Sequence, residues 1–338
     1  MTNLQVFRSD KAGDSDWGRL CELSSRTTIF QKPEFINIIS KIFGTGIDIH
    51  NLKSGENIRA GVVLFNKLKM GFRVTVHPSV IFYNSLLMAP FSSQKNTEQI
   101  FEANTRWTSV MEAIEKQYSY AVLVTFPGER LPLPIIWREW LVEPQYTAVI
   151  PLQDITHQWS VVDKDVRRVV RLGKKENLNF KTEGKPLELF GLLQQSYRRD
   201  NILPPLNRST FLNFVQEAIG TGLGRIFTIS TSNGKTLSAA FVLEDEPRVY
   251  GLFLGRNTTV QPNIGTVNLL WKICEHYASR GFSHFDLGGL QRESIARFKL
   301  KFGAEIMPHF KIHYFKNRRI RFLFDIKSRL NLLLRKSF

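Results

Sequence analysis

The stretch Val249-Tyr-Gly-Leu-Phe-Leu-Gly255, a polar run from Arg256 to Gly265, an amphipathic segment, then Phe282-Ser-His-Phe-Asp-Leu-Gly-Gly289 and Phe298-Lys-Leu-Lys-Phe-Gly303 decides the fold of this chain. Val267, Leu270, Trp271, Cys274 and Tyr277/Ala278 recur at three- and four-residue steps, which predicts one long helix with Gly281 as its stop. From Val249 to Phe315 the order therefore reads strand, loop, helix, strand, helix, strand. The loop before the long helix leads into its N-terminus, where unpaired N–H groups and the positive end of the dipole suit an anion or a polar acyl carrier. It reads equally as an ordinary helix start. Asp286 closes a short strand beside Gly288 and Gly289, a composition that leaves backbone accessible where a carbonyl could be held.

Phe285-Asp-Leu-Gly-Gly289 followed by Phe298-Lys-x-x-Phe-Gly303 resembles the C-terminal signature of the FemABX aminoacyltransferases and their FemAB-like relatives, within the GNAT superfamily of N-acyltransferases. The likeness is fullest from Val161 to Phe315. It implies an α/β (α+β) chain of tandem GNAT-like (acyl-CoA N-acyltransferase) domains, with mixed, mostly antiparallel sheets flanked by helices. Residues 1–150 are expected to form an N-terminal GNAT-like domain, 151–315 a C-terminal FemAB-like acyltransferase domain, and 316–338 a basic amphipathic C-terminal helix.

Composition agrees with a globular chain of 338 residues, 43% of them hydrophobic, which is enough for two domains of ordinary size. Lysines and arginines number 46 against 30 acidic residues, a net charge of +16 that favours polyanions: RNA, phosphorylated carriers or an anionic membrane surface. Cys21 and Cys274 sit on apolar helix faces and read as buried thiols, not as a disulfide or metal pair. His309 and His313 share a strand, a spacing that is not the helical metal pair. The N-terminal residues carry no secretory pattern and no window is apolar enough to span a membrane, so a cytoplasmic chain is expected.

Along the first half, strands are expected at Leu4 to Arg8, Ile47 to Leu52, Ile58 to Leu68, Gly71 to Val76 and Tyr120 to Phe126. Helices are expected after Asp14, after Pro33 and from Gln94 to Gln117. Pro127, Pro132 and Pro134 are read as breaking regular structure, with strands resuming at Trp137 to Leu141 and Tyr146 to Ile150. The lead-in Thr28-Ile-Phe-Gln-Lys-Pro-Glu-Phe35 resembles a Phe-x-Gln-x-x-x-Trp segment of FemAB-like proteins, with Phe35 where tryptophan is commoner. In the second half, Arg167, Arg168, Arg171, Lys174 and Lys175 concentrate positive charge on one helix. Such a run is usually a solvated face, but here little acid tempers it. Helices Pro186 to Arg199 and Asn207 to Ile219 then precede a hairpin turned by Asn233-Gly234.

Acyl transfer to an amine needs a deprotonated nucleophile and a carbonyl held near oxyanion donors, and it needs no covalent enzyme intermediate. No nucleophile elbow, Cys/His pair, phosphate loop or dinucleotide fingerprint is present in the sequence, which removes hydrolase and nucleotide-phosphate readings. By the family resemblance Lys299 would stabilise the carbonyl oxygen or the leaving group. Asp286 would orient that lysine or accept an amine proton, unless the two form only a structural pair. The resemblance likewise places Tyr197, Arg199, Arg208, Tyr250 and Lys32 at the acceptor, with His284 and Glu293 in reserve. Arg256, Gln261 and Gly265, with Arg167, Arg168 and Arg171, are placed at the donor.

No tightly bound cofactor is expected. The donor is aminoacyl-tRNA or acyl-CoA: the Gln261-Pro-Asn-Ile-Gly265-Thr run only partly echoes the acyl-CoA motif, and the net charge suits tRNA. Expected partners are tRNA and a nucleotide- or lipid-linked cell-envelope precursor such as a peptidoglycan peptide or amino sugar, and not DNA. The basic C-terminal segment either docks on its own domain or lies on the anionic inner face of the plasma membrane. Two other readings stay open: an acyl-CoA-dependent N-acetyltransferase acting on another amine, and a degenerate acyltransferase fold serving as a membrane-associated binding protein.

Overall fold

The structure, a computed structural model, describes residues 4–199, 201–260, 264–322 and 324. In chain order the elements are β1 (Leu4–Ser9), α1 (Ser15–Leu23), α2 (Pro33–Phe43), β2 (Gly46–Ser54), β3 (Asn57–Lys69), β4 (Phe72–Val76), β5 (Leu87–Met88), α3 (Asn96–Gln117), β6 (Tyr120–Val124) and α4 (Leu133–Trp137). They continue with β7 (Leu141–Pro151), α5 (Ile155–Val161), α6 (Lys164–Lys175), β8 (Asn179–Lys181), α7 (Pro186–Arg199), α8 (Arg208–Gly220), β9 (Gly224–Ser230) and β10 (Thr236–Asp245). The last are β11 (Arg248–Arg256), α9 (Ile264–Ser279), β12 (His284–Gly289), α10 (Glu293–Leu300) and β13 (Glu305–Phe315). Two compact units result: one runs to Pro144 and takes up the chain again from Pro308, and the other spans Gln145–Met307.

In the first unit the strands run β1-β2-β3-β4-β6-β13, with β5 on β3. Side chains alternate across β3, so Ala60, Val62 and Leu64 pack with Trp107, Val110, Met111 and Ile114 of α3. Gly61 faces the other way, where a Cβ would lie 2.9 Å from the Leu20 side chain of α1. Asp14 caps α1 by accepting from the Trp17 N–H at 2.9 Å, as its sequence position predicts. Beneath the sheet edge, the buried Asp48 carboxylate takes the Arg8 guanidinium at 2.5 Å, Arg73 at 2.6 Å, Asn66 at 2.7 Å and the Tyr118 hydroxyl.

The second unit orders its strands β7-β12-β11-β10-β9-β8. Phe227 points to one face, against Tyr277 of α9, with ring centroids 5.6 Å apart. Phe241 and Phe253, cross-strand partners, point to the other, against Phe214 and Phe211 of α8. Helices thus cover both faces of this sheet. On the first face α6 lies on α9 so closely that a Cβ at Gly173 would fall 2.2 Å from the buried Asn268 side chain.

Two expectations need correction. Trp137 to Leu141 is not a strand: α4 ends at Trp137, and Trp140 turns back to donate its N–H to the Ile135 carbonyl at 3.1 Å. Pro132 and Pro134 do not break this helix but start it, because first-turn N–H groups lack intrahelical partners anyway. The basic run from Arg167 to Lys175 lies on one helix, α6, as expected, and Asp163 caps it by accepting from the Asp165 N–H at 2.8 Å. The short β8 was not anticipated. Of the expected C-terminal helix, residues 318–322 are helical, and Phe324 stacks on Tyr120 at 5.3 Å; the remainder lies outside the described residues.

One glycine sets a wall of the second unit. A Cβ on Gly255 would sit 2.6 Å from the Leu193 backbone nitrogen and 2.8 Å from the Leu192 carbonyl carbon, so β11 and α7 meet through it. Gly255→Ala is expected to lose about 1–3 kcal/mol by forcing the two apart. Urea denaturation measures this, and an unchanged midpoint would show that α7 can shift at no cost.

Candidate functional site

The site begins where a strand ladder stops. β11 and β12 pair in parallel over Arg248↔His284, Val249↔Phe285 and Tyr250↔Asp286 only. Past that point both strands are irregular. The β10–β11 register slips between Phe241 and Val242, leaving Leu252 as the extra residue, and the β12–β7 register slips between Asp286 and Gly289. A cavity of about 430 Å³ fills the gap, lined on its strand side by Gly251–Leu254, Phe285 and Leu287. Ser196 and Tyr197 of α7, Thr266 and Leu270 of α9, and Ile295 and Phe298 of α10 close it.

Lys299 reaches this cavity from α10. Its ammonium donates to the carbonyls of Gly288 at 3.0 Å and Gly289 at 2.8 Å. An ammonium has three protons, and the third has no hydrogen-bond acceptor among the described residues. Burial pushes its pKa down to about 8, with the Asp286 carboxylate pulling the other way. Lys299 at neutral pH is therefore a charged but proton-labile group.

Asp286 does not line the cavity and is buried within β12, at the last residue that pairs with β11. Its carboxylate accepts from the Thr147 hydroxyl at 2.5 Å and from the Gly288 N–H at 2.8 Å. The second bond pins a turn at Gly288, whose φ of 74° lies in the left-handed region that favours glycine. This turn presents the two carbonyls that hold Lys299. Asp286 thus acts on the lysine through backbone and through charge.

Of the other sequence-selected residues, Tyr197, Arg199 and Arg256 line the same cavity. Burial raises the Tyr197 pKa, against a lowering by the nearby Arg292. Arg256 is braced by its backbone N–H on the Ser196 hydroxyl at 2.9 Å, while its Nε is buried with no hydrogen-bond partner among the described residues. Arg208 opens α8 and is exposed away from the cavity lining. Tyr250 is buried in β11 and does not line it either. Gly265 lies at the start of α9, where a Cβ would meet the Leu237 Cβ at 2.5 Å; close helix-to-strand packing alone accounts for it.

Lys32 lies in the first unit, ahead of α2, and Gln261 falls outside the described residues. Arg167, Arg168 and Arg171 stay on the outer side of α6, with Arg168 3.9 Å from Asp165 at a largely exposed position. Glu293 pairs with Arg297 in solvent.

Arg292 and Ser196 were missed in the sequence. Arg292 precedes α10 without any pattern of its own, and only folding brings it to the cavity wall. Both cysteines are free; Cys274 is buried as expected, Cys21 only partly, and burial still raises the Cys21 thiol to about 12. Among the described residues no cluster of His, Cys, Asp and Glu could hold a metal, and no helix is long and apolar enough to cross a membrane.

Residues 161–300, which contain every residue that lines this cavity, match the family model described as an acetyltransferase (GNAT) domain. A search of curated proteins gives no significant match. Among solved structures, FemX superposes with a TM-score of 0.67 at 11% identity, covering 91% of this chain and 96% of its own. A tandem GNAT protein from the clavulanic acid biosynthesis pathway gives 0.55 at 10% identity, covering 93% of this chain and 99% of its own. The C-terminal domain of a putative lysylphosphatidylglycerol synthetase from Agrobacterium fabrum gives 0.54 at 13% identity, covering 92% and 96%. The expected fold class is thereby met: residues 161–300 match a GNAT acyltransferase domain, and the chain has the fold of FemX and of a tandem GNAT protein.

Proposed function

We propose that the chain transfers an aminoacyl or acyl group to an amine of a cell-envelope precursor, with residues 151–315 as the acyl-transfer domain and residues 1–150 as a second GNAT-like domain. One observation carries the reading: a charged Lys299, anchored by two carbonyls, keeps its third proton for the cavity. As an amine attacks an acyl carbonyl, negative charge grows on the carbonyl oxygen. A fixed ammonium meets that charge most strongly in the transition state. The attack forms the C–N bond, and collapse of the tetrahedral intermediate breaks the bond to the leaving oxygen or sulfur, which takes up a proton as the amine gives one up.

The cell-envelope assignment is supported by likeness to FemX and to the putative lysylphosphatidylglycerol synthetase. Arg199, Arg256 and Arg292 around an otherwise apolar lining suit a substrate with an anionic end, such as a nucleotide- or lipid-linked carrier. For the donor, the acetyltransferase description of the matched domain favours acyl-CoA, and likeness to FemX together with the +16 charge favours aminoacyl-tRNA. Binding of CoA and of charged tRNA to the purified protein separates these.

Lys299→Met keeps the stem and removes the charge. Turnover is expected to fall about 10²-fold or more with substrate affinities far less affected. Near-normal turnover per folded molecule would leave the lysine to the fold. Because the ammonium is the active form, kcat/KM is expected to fall as pH rises through about 8. Lys299→Arg, always charged, should abolish that alkaline limb even if its rate is lower. A limb that persists in the arginine variant would assign the titration to another group.

Asp286→Asn leaves an acceptor for the Gly288 N–H but removes the charge that raises the lysine's pKa. The alkaline limb is therefore expected to move to lower pH. A limb that stays in place would show that Asp286 acts through the turn alone. For the donor, replacing Arg167, Arg168 and Arg171 by Ala should weaken tRNA binding and flatten its salt dependence. Unaltered binding at low salt would make the outer side of α6 a solvated face.

A further inference from the structure

The first unit exposes a small apolar point that its own packing does not explain. Between β3 and β4 the chain turns through Met70 and Gly71 with φ of 51° and 78°, a two-residue hairpin turn in which both residues are left-handed. Asn, Asp or Gly normally fill the first of these positions. Here a methionine takes it at the cost of backbone strain, and it is 93% exposed. Leu68 and Phe72 flank it at 77% and 49% exposure on opposite faces of the hairpin, since Phe72 pairs with Lys69 and Leu68 with Arg73, so the tip carries exposed apolar side chains on both sides.

The topology gathers positive charge at the same end of the sheet. β6 runs parallel to β4, with Val74 opposite Tyr120, and β13 runs antiparallel to β6, with Phe315 opposite Tyr120. The start of β4, the start of β6 and the exit of β13 therefore coincide. Backbone bonds tie them in series: the Ser119 N–H donates to the Arg73 carbonyl at 2.9 Å, and the Lys316 N–H to the Ser119 carbonyl at 3.0 Å. Exposed Lys69 stands in the hairpin, Lys116 ends α3, and Lys316, Arg318 and Arg319 leave β13, all on the solvent side. Asp48 is engaged with Arg8 and Arg73, and Glu112 and Glu115 with Arg138.

We propose that this end of the first unit docks on an anionic lipid surface, the hairpin tip entering the bilayer with Leu68, Met70 and Phe72 while the surrounding lysines and arginines meet the headgroups. A projecting tip with three apolar side chains offers too little area for a stable protein interface, but it suits insertion below the headgroup layer. A ring of cations around it matches anionic lipid. A nucleic acid would use the cations and gain nothing from Leu68 and Met70. The inference does not rest on acyl transfer, and it places the surface on described residues, not on the C-terminal segment alone.

The test uses the full chain and sedimentation with phosphatidylcholine vesicles, with and without phosphatidylglycerol. Wild type is expected to bind only the anionic vesicles. L68T/M70N/F72T, whose residues suit strands and this turn, should keep the melting temperature and lose binding by about tenfold or more. K69Q/K316Q/R319Q should lose the anionic preference by about 10²-fold. The proposal is overturned if wild type ignores anionic vesicles or if the hairpin variant binds them as wild type does. It is equally overturned if the charge variant loses tRNA binding while vesicle binding stays intact, which would make this end a nucleic-acid surface.

Discussion

Three residue pairs hold β11 beside β12, and the parting of the two strands after Tyr250 and Asp286 is the constraint on which the site depends. A longer ladder would satisfy the backbone groups of both strands and leave no room between them. The gap persists because each strand bulges toward its other neighbour, β11 against β10 and β12 against β7. A bulge bends its strand and ends regular pairing locally. Helices on both faces then seal a cavity that runs through the sheet itself, and this is how one edge of β11 becomes available to a ligand.

The same bend decides the electrostatics. Gly288 can turn because it tolerates a positive φ, and Asp286 holds the turn through the Gly288 N–H. The carbonyls so exposed are the acceptors that make a partly buried ammonium tolerable at Lys299. Burial still wins in part, drawing the lysine's pKa down to about 8. A charge that is anchored, partly desolvated and short of one acceptor among the described residues is what the proposed role in acyl transfer requires, and a surface lysine on the same motif would not supply it.

Charge elsewhere follows a different rule. Asp48 sits buried beneath two arginines, and its close multiple bonds serve packing. The lysines and arginines at the β13 exit are exposed to water. The net charge of +16 is thus not spread evenly in function, since much of it belongs to surfaces and only a few cations belong to the cavity.

The periodicity of Val267 to Tyr277, the cap at Asp14 and the turn at Asn233-Gly234 are local signals, and each is realised where the sequence puts it. Lys299 was legible for the same reason, because Phe298-Lys-x-x-Phe-Gly303 is a contiguous motif. Two prolines misled the reading of α4, since their effect depends on whether they stand inside a helix or at its first turn. What the sequence alone determined is therefore the elements, the family likeness and the lysine. Only the tertiary structure decided that Tyr197, Arg199, Arg256 and Arg292 share one wall while Arg208 and Tyr250 do not, and that Asp286 braces a turn without entering the cavity. Those outcomes depend on bulges and strand order, which bring together residues up to about a hundred positions apart, and no spacing along the chain encodes them.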